Sequence, residues 1–145
     1  MNTLRLPAEL ESLESFRLFV LERVERLELP PEALMKLELV LEELLINVIH
    51  YAYPEGKGEM MVGCALEDRE NLRITITDWG APFDPLSRED PNLSQNLEER
   101  QVGGLGIFLV RQMVDELHYQ RCDDRNVLTL LFKSLRSPQP ALDPG

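Results

Sequence analysis

The chain has 145 residues, of which 43% are hydrophobic, a size and composition that suit one compact domain around a single core. Its 26 acidic and 15 basic residues give a formal net charge of −11, which argues against binding to a nucleic-acid backbone or an anionic membrane. We find no pattern of a signal peptide or a transmembrane helix, and therefore expect a cytoplasmic protein whose partners are proteins or small molecules.

The first third of the chain predicts one strand followed by two helices. The strand covers residues 2–6 and stops at a proline. Apolar residues at helical spacing predict a helix over 9–27. Prolines 30 and 31 then break the chain and start a second helix that runs up to Tyr53. The apolar stripe of this helix consists of Leu34, Leu37, Leu41, Leu44 and Val48.

The middle of the chain predicts an antiparallel hairpin followed by a long polar segment. Residues 60–66 and 72–77 are typical of strands, and apolar residues alternate with polar ones in the second. From 84 to 102 the chain becomes polar and loses its periodicity. A segment of this length inside a compact domain is usually a functional lid or a disordered loop.

The last part predicts a helix over 105–117, a strand ending at 122, a turn over 123–126 and a final strand over 127–132. The complete order predicts an α+β fold, a two-layer α/β sandwich in which helices cover one face of a mixed, mostly antiparallel sheet. We expect a single domain over residues 1–136, with the lid at about 84–104. Residues 137–145 are rich in proline and are expected to form a disordered tail.

Two cysteines, Cys64 and Cys122, lie in apolar segments that read as strands. They lack CxxC spacing and neighbouring histidines, so we expect reduced core thiols rather than a disulfide or a zinc site.

The first cluster of residues that could bind a ligand or take part in catalysis is Glu43-Leu-Leu-Ile-Asn47 on the second helix. Asn47 has only apolar neighbours in the sequence, and a buried amide without a partner costs about 1 to 3 kcal/mol. Spacing of four residues stacks Glu43 on the same helix face. A carboxylate beside an amide oxygen suits a proton acceptor next to hydrated Mg²⁺. The alternative is an Asn47 satisfied by neighbouring backbone beside a merely solvated Glu43.

The second cluster is Asp78-Trp79-Gly80 at the end of a strand. A carboxylate there can accept a hydrogen bond from an exocyclic amine such as that of adenine, and Gly80 lets the backbone pass close to the ring. The alternative is that Asp78 only forms a turn.

The third cluster is Gly103-Gly104-Leu105-Gly106, which leads directly into a helix. Glycines permit close approach, and free N–H groups at a helix start attract phosphate. The spacing differs from both the P-loop and the dinucleotide fingerprint. A hinge without a ligand remains the alternative.

In this order, the three clusters resemble those of the ATP-binding fold shared by DNA gyrase, the Hsp90 chaperone, sensor histidine kinases and MutL. The resemblance is strongest to the small anti-sigma-factor serine kinases of bacterial partner-switching systems. It rests on the segments 43–53, 78–85 and 103–110 and extends over about residues 4–135. Gyrase, Hsp90 and MutL need additional domains, and a histidine kinase needs a phosphoacceptor helix pair for which this chain has no room.

The resemblance implies roles for individual residues. Asn47 would coordinate Mg²⁺ that bridges the phosphates of ATP, and Glu43 would act as the general base. Asp78 would bind the adenine amine in a pocket shaped by Gly80. The glycines at 103, 104 and 106 would bring the lid and the helix start close to the phosphates.

The same resemblance implies partners. The phosphate acceptor would be a serine of an anti-anti-sigma protein of the STAS type, and the alternative partner is a sigma factor. Relatives also suggest a homodimer. Pro82 departs from the second glycine of many superfamily members, although it suits the small anti-sigma branch. Arg88 and Arg100 lie in the expected lid, and neither is assigned to the site.

Two other functions compete with the kinase. One is a nucleotide-binding module that sequesters its partner without phosphoryl transfer. The other is an α+β adaptor in which the three clusters are accidental. Titration with Mg·ATP separates the adaptor from the first two, and a change at Glu43 separates the kinase from the binding module.

Overall fold

The computed structural model describes residues 1–87 and 104–135, which form a five-stranded sheet and three α-helices. The strands are β1 (Asn2–Pro7), β2 (Glu59–Glu67), β3 (Asn71–Asp78), β4 (Glu116–Cys122) and β5 (Arg125–Phe132). The helices are α1 (Leu13–Val24), α2 (Pro31–Tyr51) and α3 (Gly104–Met113). Short 3₁₀ turns flank α1 at Leu10–Ser12 and Glu25–Leu27, and another covers Pro85–Ser87.

The sheet has the order β1-β2-β3-β5-β4, and every pairing is antiparallel. Alternate residues of each strand point to one apolar face, which packs against the three helices in a single core. The α+β sandwich with helices on one face is therefore confirmed, and within the described residues its sheet is antiparallel rather than mixed.

Helix α2 is the longest element and carries the first cluster. It starts at Pro31, whose missing N–H costs nothing at a first helical position. Its inner face contains six apolar residues and one polar side chain, that of Asn47. Those apolar residues are Leu37, Val40, Leu41, Leu44, Leu45 and Val48. The helix therefore holds an amide inside the core.

Helix α3 is shorter than its sequence pattern predicts. It ends at Met113 instead of residue 117, because the chain from Glu116 onwards pairs with β5. The N–H of Asp115 already donates to the carbonyl of Leu131 at 3.0 Å. Spacing of apolar residues cannot distinguish the last helical turn from the first residues of a strand.

The remaining expectations divide between described and undescribed residues. The expected lid lies mostly at 88–103 and the expected tail at 137–145, both outside the described ranges. Cys64 is a buried free thiol, and Cys122 is free and half-buried. No helix in residues 1–87 or 104–135 has the length and apolar character needed to cross a membrane.

Candidate nucleotide-binding site

The side chain of Asn47 is 2% exposed, and only one of its two polar atoms has a hydrogen-bond partner among the described residues. Its Nδ2 donates to the carbonyl oxygen of Glu43, one turn earlier in α2, at 3.0 Å. Its Oδ1 is buried and accepts no hydrogen bond from the described residues. The backbone therefore satisfies only half of this amide, and the free oxygen is a ready ligand for a hard cation.

The side chain of Glu43 lies against the first turn of α3. A Cβ added to Gly106 would overlap Oε2 of Glu43, so this position tolerates only glycine while the carboxylate stays there. Burial, and secondly the charge of Glu42, raises the pKa of Glu43. Helix α3 thus starts beside a carboxylate of increased basicity, at the helix end that attracts anions.

Asp78 ends β3 and is 3% exposed. Its Oδ1 accepts hydrogen bonds from the N–H of Gly80 at 2.9 Å and from Nδ2 of Asn126 at 2.8 Å. Burial raises the pKa of Asp78, while these two bonds and the charge of Arg121 oppose that rise. The bond to Gly80 is the turn that the alternative interpretation expects, but such a turn does not account for a carboxylate buried this deeply.

Asn126 is a buried site residue that the sequence analysis missed. The sequence predicts a polar turn over 123–126 that ends at this residue, whereas the structure places it inside β5, directly opposite Asp78. It is 4% exposed. No signal in a single sequence identifies this residue, because its role depends on the pairing of two strands that lie far apart along the chain.

The end of α2 is clamped to the end of β3. The N–H of Ala81 donates to the carbonyl oxygen of Ala52 at 2.9 Å, and a Cβ on Gly80 would overlap that same oxygen. The hydroxyl of Tyr53 accepts from the N–H of Trp79 at 2.9 Å. Gly80 is thus needed for a close approach of two backbones, which fits its expected role in shaping the pocket.

One pocket joins the two halves of the site, since Asn47 and Asp78 both line it. Its other lining residues are Leu44, Val48, Ile76, Phe83, Pro85, Tyr119, Asn126 and Leu128. The volume open to water is about 20 Å³, which is enough for about one water molecule. A bound base therefore requires this pocket to widen.

A larger groove of about 320 Å³ lies between α1 and α2. Its polar groups are exposed and pair with one another, as Arg17 does with Glu14 and Glu38. The buried oxygen of Asn47 and the buried carboxylate of Asp78 both lie at the smaller pocket instead, so we place the candidate site there.

The structure brings together five of the seven predicted site residues in its described part: Glu43 and Asn47 on α2, Gly106 on α3, and Asp78 and Gly80 at the end of β3. Gly104 is the first residue of α3. Gly103 lies outside the described residues, as do Arg88 and Arg100.

Comparison with known proteins agrees with this architecture. Residues 6–132 match the family described as the histidine kinase-like ATPase domain. The serine/threonine-protein kinase BtrW of Bordetella bronchiseptica is 34% identical over 98 residues, which cover 68% of this chain and 69% of BtrW. The serine-protein kinase RsbW of Listeria monocytogenes is 27% identical over 144 residues, covering 94% of this chain and 88% of RsbW.

Solved structures show the same fold at low identity. The RsbU and RsbW domains of Rv1364c from Mycobacterium tuberculosis match 92% of this chain with a TM-score of 0.60 and 16% identity, and the chain spans 32% of that protein. The catalytic domain of histidine kinase ThkA matches 92% of the chain, with a TM-score of 0.54 and 13% identity. The chain belongs to the histidine kinase-like ATPase domain family, within its branch of serine/threonine-protein kinases.

Proposed function

We propose that this chain is an ATP-dependent anti-sigma factor that phosphorylates a serine of a STAS-type anti-anti-sigma protein. It works as one kinase domain over residues 1–136, with residues 84–104 as its lid, in the cytoplasm and as a homodimer. The family match and the two bacterial kinase relatives support the class of reaction. The acceptor and the regulatory pathway are inferred from the resemblance of the three clusters.

The observation that carries this proposal is Oδ1 of Asn47, which is buried one helical turn from Glu43 and accepts no hydrogen bond within residues 1–87 and 104–135. An unused amide oxygen inside a core is costly unless a ligand uses it. Mg²⁺ prefers few protein oxygens, together with water and phosphate oxygens, and a single amide oxygen fits that preference. In this role Asn47 holds Mg²⁺, which neutralises charge on the phosphate oxygens.

Glu43 has the chemistry of a general base. Its raised pKa makes the carboxylate a better proton acceptor than an exposed glutamate at neutral pH. The carboxylate takes the proton of the serine hydroxyl, and the serine oxygen forms a bond to the γ-phosphorus. The bond between that phosphorus and the bridging oxygen breaks, and ADP leaves.

Nucleotide recognition is assigned to the other half of the pocket. Asp78 accepts the hydrogen bond of the adenine amine in this pocket. Gly80 shapes the pocket by letting the chain after β3 pass close to the end of α2. Gly104 and Gly106 lie in the first turn of α3, where N–H groups can face the phosphates, and Gly103 is proposed to support them.

The test compares two substitutions on the same helix. Glu43→Gln removes the base but keeps the size of the side chain, and Glu32→Gln removes an exposed charge at the start of the same helix as the control. Each variant is mixed with a purified STAS protein and Mg·ATP, and phosphoserine is measured. We expect Glu43→Gln to bind Mg·ATP normally and to lose about 10²- to 10⁴-fold in transfer rate, the usual contribution of a general base.

Two results would contradict the proposal in different ways. Full transfer by Glu43→Gln means that another group takes the proton. Saturable binding of Mg·ATP with no phosphoserine in the wild-type protein favours the sequestering module, in which nucleotide binding regulates a partner without chemistry.

A further inference from the structure

The amide of Asn126 has a fixed orientation because donors and acceptors face its two ends. Its Oδ1 accepts from the hydroxyl of Tyr119 at 2.6 Å, from Arg121 at 3.2 Å and from the N–H of Phe83 at 3.3 Å. Its Nδ2 donates to the carbonyl oxygen of Ala81 at 2.8 Å and to Asp78. Turning the amide over would place its nitrogen against the N–H groups of Arg121 and Phe83 and its oxygen against the carbonyl of Ala81, so Asn126 presents its N–H groups to Asp78.

This orientation determines how Asp78 is used. Asn126 and Gly80 both donate to the same oxygen, Oδ1, so the carboxylate cannot rotate without breaking two hydrogen bonds. Oδ2 is then the oxygen that can receive a ligand. Because both residues are almost fully buried, each lost bond leaves a desolvated group without compensation.

We propose that Asn126 is a positioning residue that selects adenine over a 6-oxopurine by holding Asp78 in one orientation. The inference rests on the proposed binding of adenine by Asp78 and goes beyond it. A fixed Oδ2 accepts the hydrogen bond of a 6-amino group and repels a 6-oxo group at the same place. A carboxylate freed from Asn126 can turn to accept the N1–H of hypoxanthine instead, and discrimination falls.

The test uses two substitutions that are isosteric with each other and that both suit a strand. Asn126→Thr keeps a hydroxyl that can donate to Asp78, whereas Asn126→Val cannot donate. Each protein is titrated with Mg·ATP and with magnesium inosine triphosphate, and the ratio of the two Kd values is measured. We expect the wild-type protein to prefer ATP by about tenfold or more, as suits one charge-assisted hydrogen bond.

The two variants should then differ in the ratio of their Kd values for the two nucleotides. Asn126→Thr should keep the preference within about threefold of the wild type, and Asn126→Val should reduce it to less than about threefold. A merely structural role would lower both affinities together and leave their ratio unchanged. The control is Asn71→Val. Asn71 lies at the opposite end of β3 from Asp78, and its side chain accepts a hydrogen bond from the N–H of Ser134. Its ratio should equal that of the wild type.

A wild-type protein that binds both nucleotides equally would overturn the adenine role of Asp78 itself, and this inference with it. A wild-type protein that prefers ATP, together with a folded Asn126→Val variant that prefers it equally, overturns this inference alone. If Asn126→Val does not fold, Tyr119→Phe provides the second arm, because it removes the shortest bond to Asn126 on a half-buried edge strand. We expect its ratio to fall about twofold, and an unchanged ratio would overturn the inference.

Discussion

At the scale of single residues, Gly106 and Glu43 depend on each other. An alanine Cβ at position 106 would occupy the place of Oε2 of Glu43, but that oxygen ends a flexible side chain and can move away. Alanine also favours a helix over glycine by about 1 kcal/mol. We therefore expect Gly106→Ala to keep the stability of the fold within about 1 kcal/mol and to lose phosphoryl transfer, because the base is displaced.

A double-mutant cycle checks this coupling. If Gly106→Ala acts by displacing Glu43, its effect on the transfer rate should disappear in a Glu43→Ala background. Rates are measured in the four proteins, and unfolding in denaturant confirms that each is folded. If the effects of the two substitutions on the free energy of activation are additive, Gly106 acts by contacting the phosphates and not by positioning the carboxylate of Glu43.

Residue chemistry could be predicted from the sequence where it follows from local neighbours. An Asn surrounded by apolar residues on a helix indicates a buried amide, and Asn47 is buried. Contacts across the sheet could not be predicted in this way. Asn126 becomes a partner of Asp78 only because β5 lies beside β3, and a polar turn in the sequence gives no indication of that pairing.

At the scale of elements, the clamp between α2 and β3 makes the site one unit. The hydroxyl of Tyr53 links the N–H of Trp79 on one side with the carbonyl of Glu59 on the other. Tyr53→Phe removes both bonds and leaves a half-buried N–H without its partner. We expect it to lower the free energy of unfolding by about 1 to 2 kcal/mol and to weaken Mg·ATP binding, since α2 holds Asn47 and β3 holds Asp78.

The comparison for this prediction is Gly80→Ala, which disrupts the same contact between α2 and β3 because its Cβ would overlap the carbonyl of Ala52. The backbone cannot move aside as a side chain can. We therefore expect Gly80→Ala to lower the free energy of unfolding by about 1 to 3 kcal/mol, and by more than Tyr53→Phe does. Denaturant unfolding gives both values. A Tyr53→Phe variant that is destabilised but binds Mg·ATP normally would show that the clamp supports the fold and not the site.

The order of the elements could be predicted from periodicity, and the structure confirms it for the described residues. The residues at which each element begins and ends were harder to predict. Leu117 continues the helical spacing of α3 but lies in β4, where it pairs with Leu130. Sheet pairing satisfies the backbone of 116–122 equally well, and the choice between the two is made by tertiary contacts that a local pattern does not contain.

At the scale of the whole molecule, a net charge of −11 opposes the binding of an anionic nucleotide. Two described arginines, Arg111 and Arg121, each donate to a backbone carbonyl, those of Leu86 and Gly80. We therefore expect removal of Mg²⁺ by a chelator to weaken ATP binding by about tenfold or more at low salt. Added salt should reduce this loss, because the Debye length falls to about 10 Å at 0.1 M.

Asn47→Leu separates coordination from general charge repulsion. It replaces an amide whose oxygen accepts no hydrogen bond from the described part of the chain by an apolar side chain of similar size. The variant should therefore be as stable as the wild type or more stable by about 1 kcal/mol. Its affinity for ATP should respond to Mg²⁺ by less than about threefold, as measured by titration with and without chelator. If the variant is stabilised and still responds fully to Mg²⁺, the metal is held elsewhere. A gain in stability coupled to a loss of the Mg²⁺ response means that the protein keeps an unsatisfied core amide because its ligand requires it.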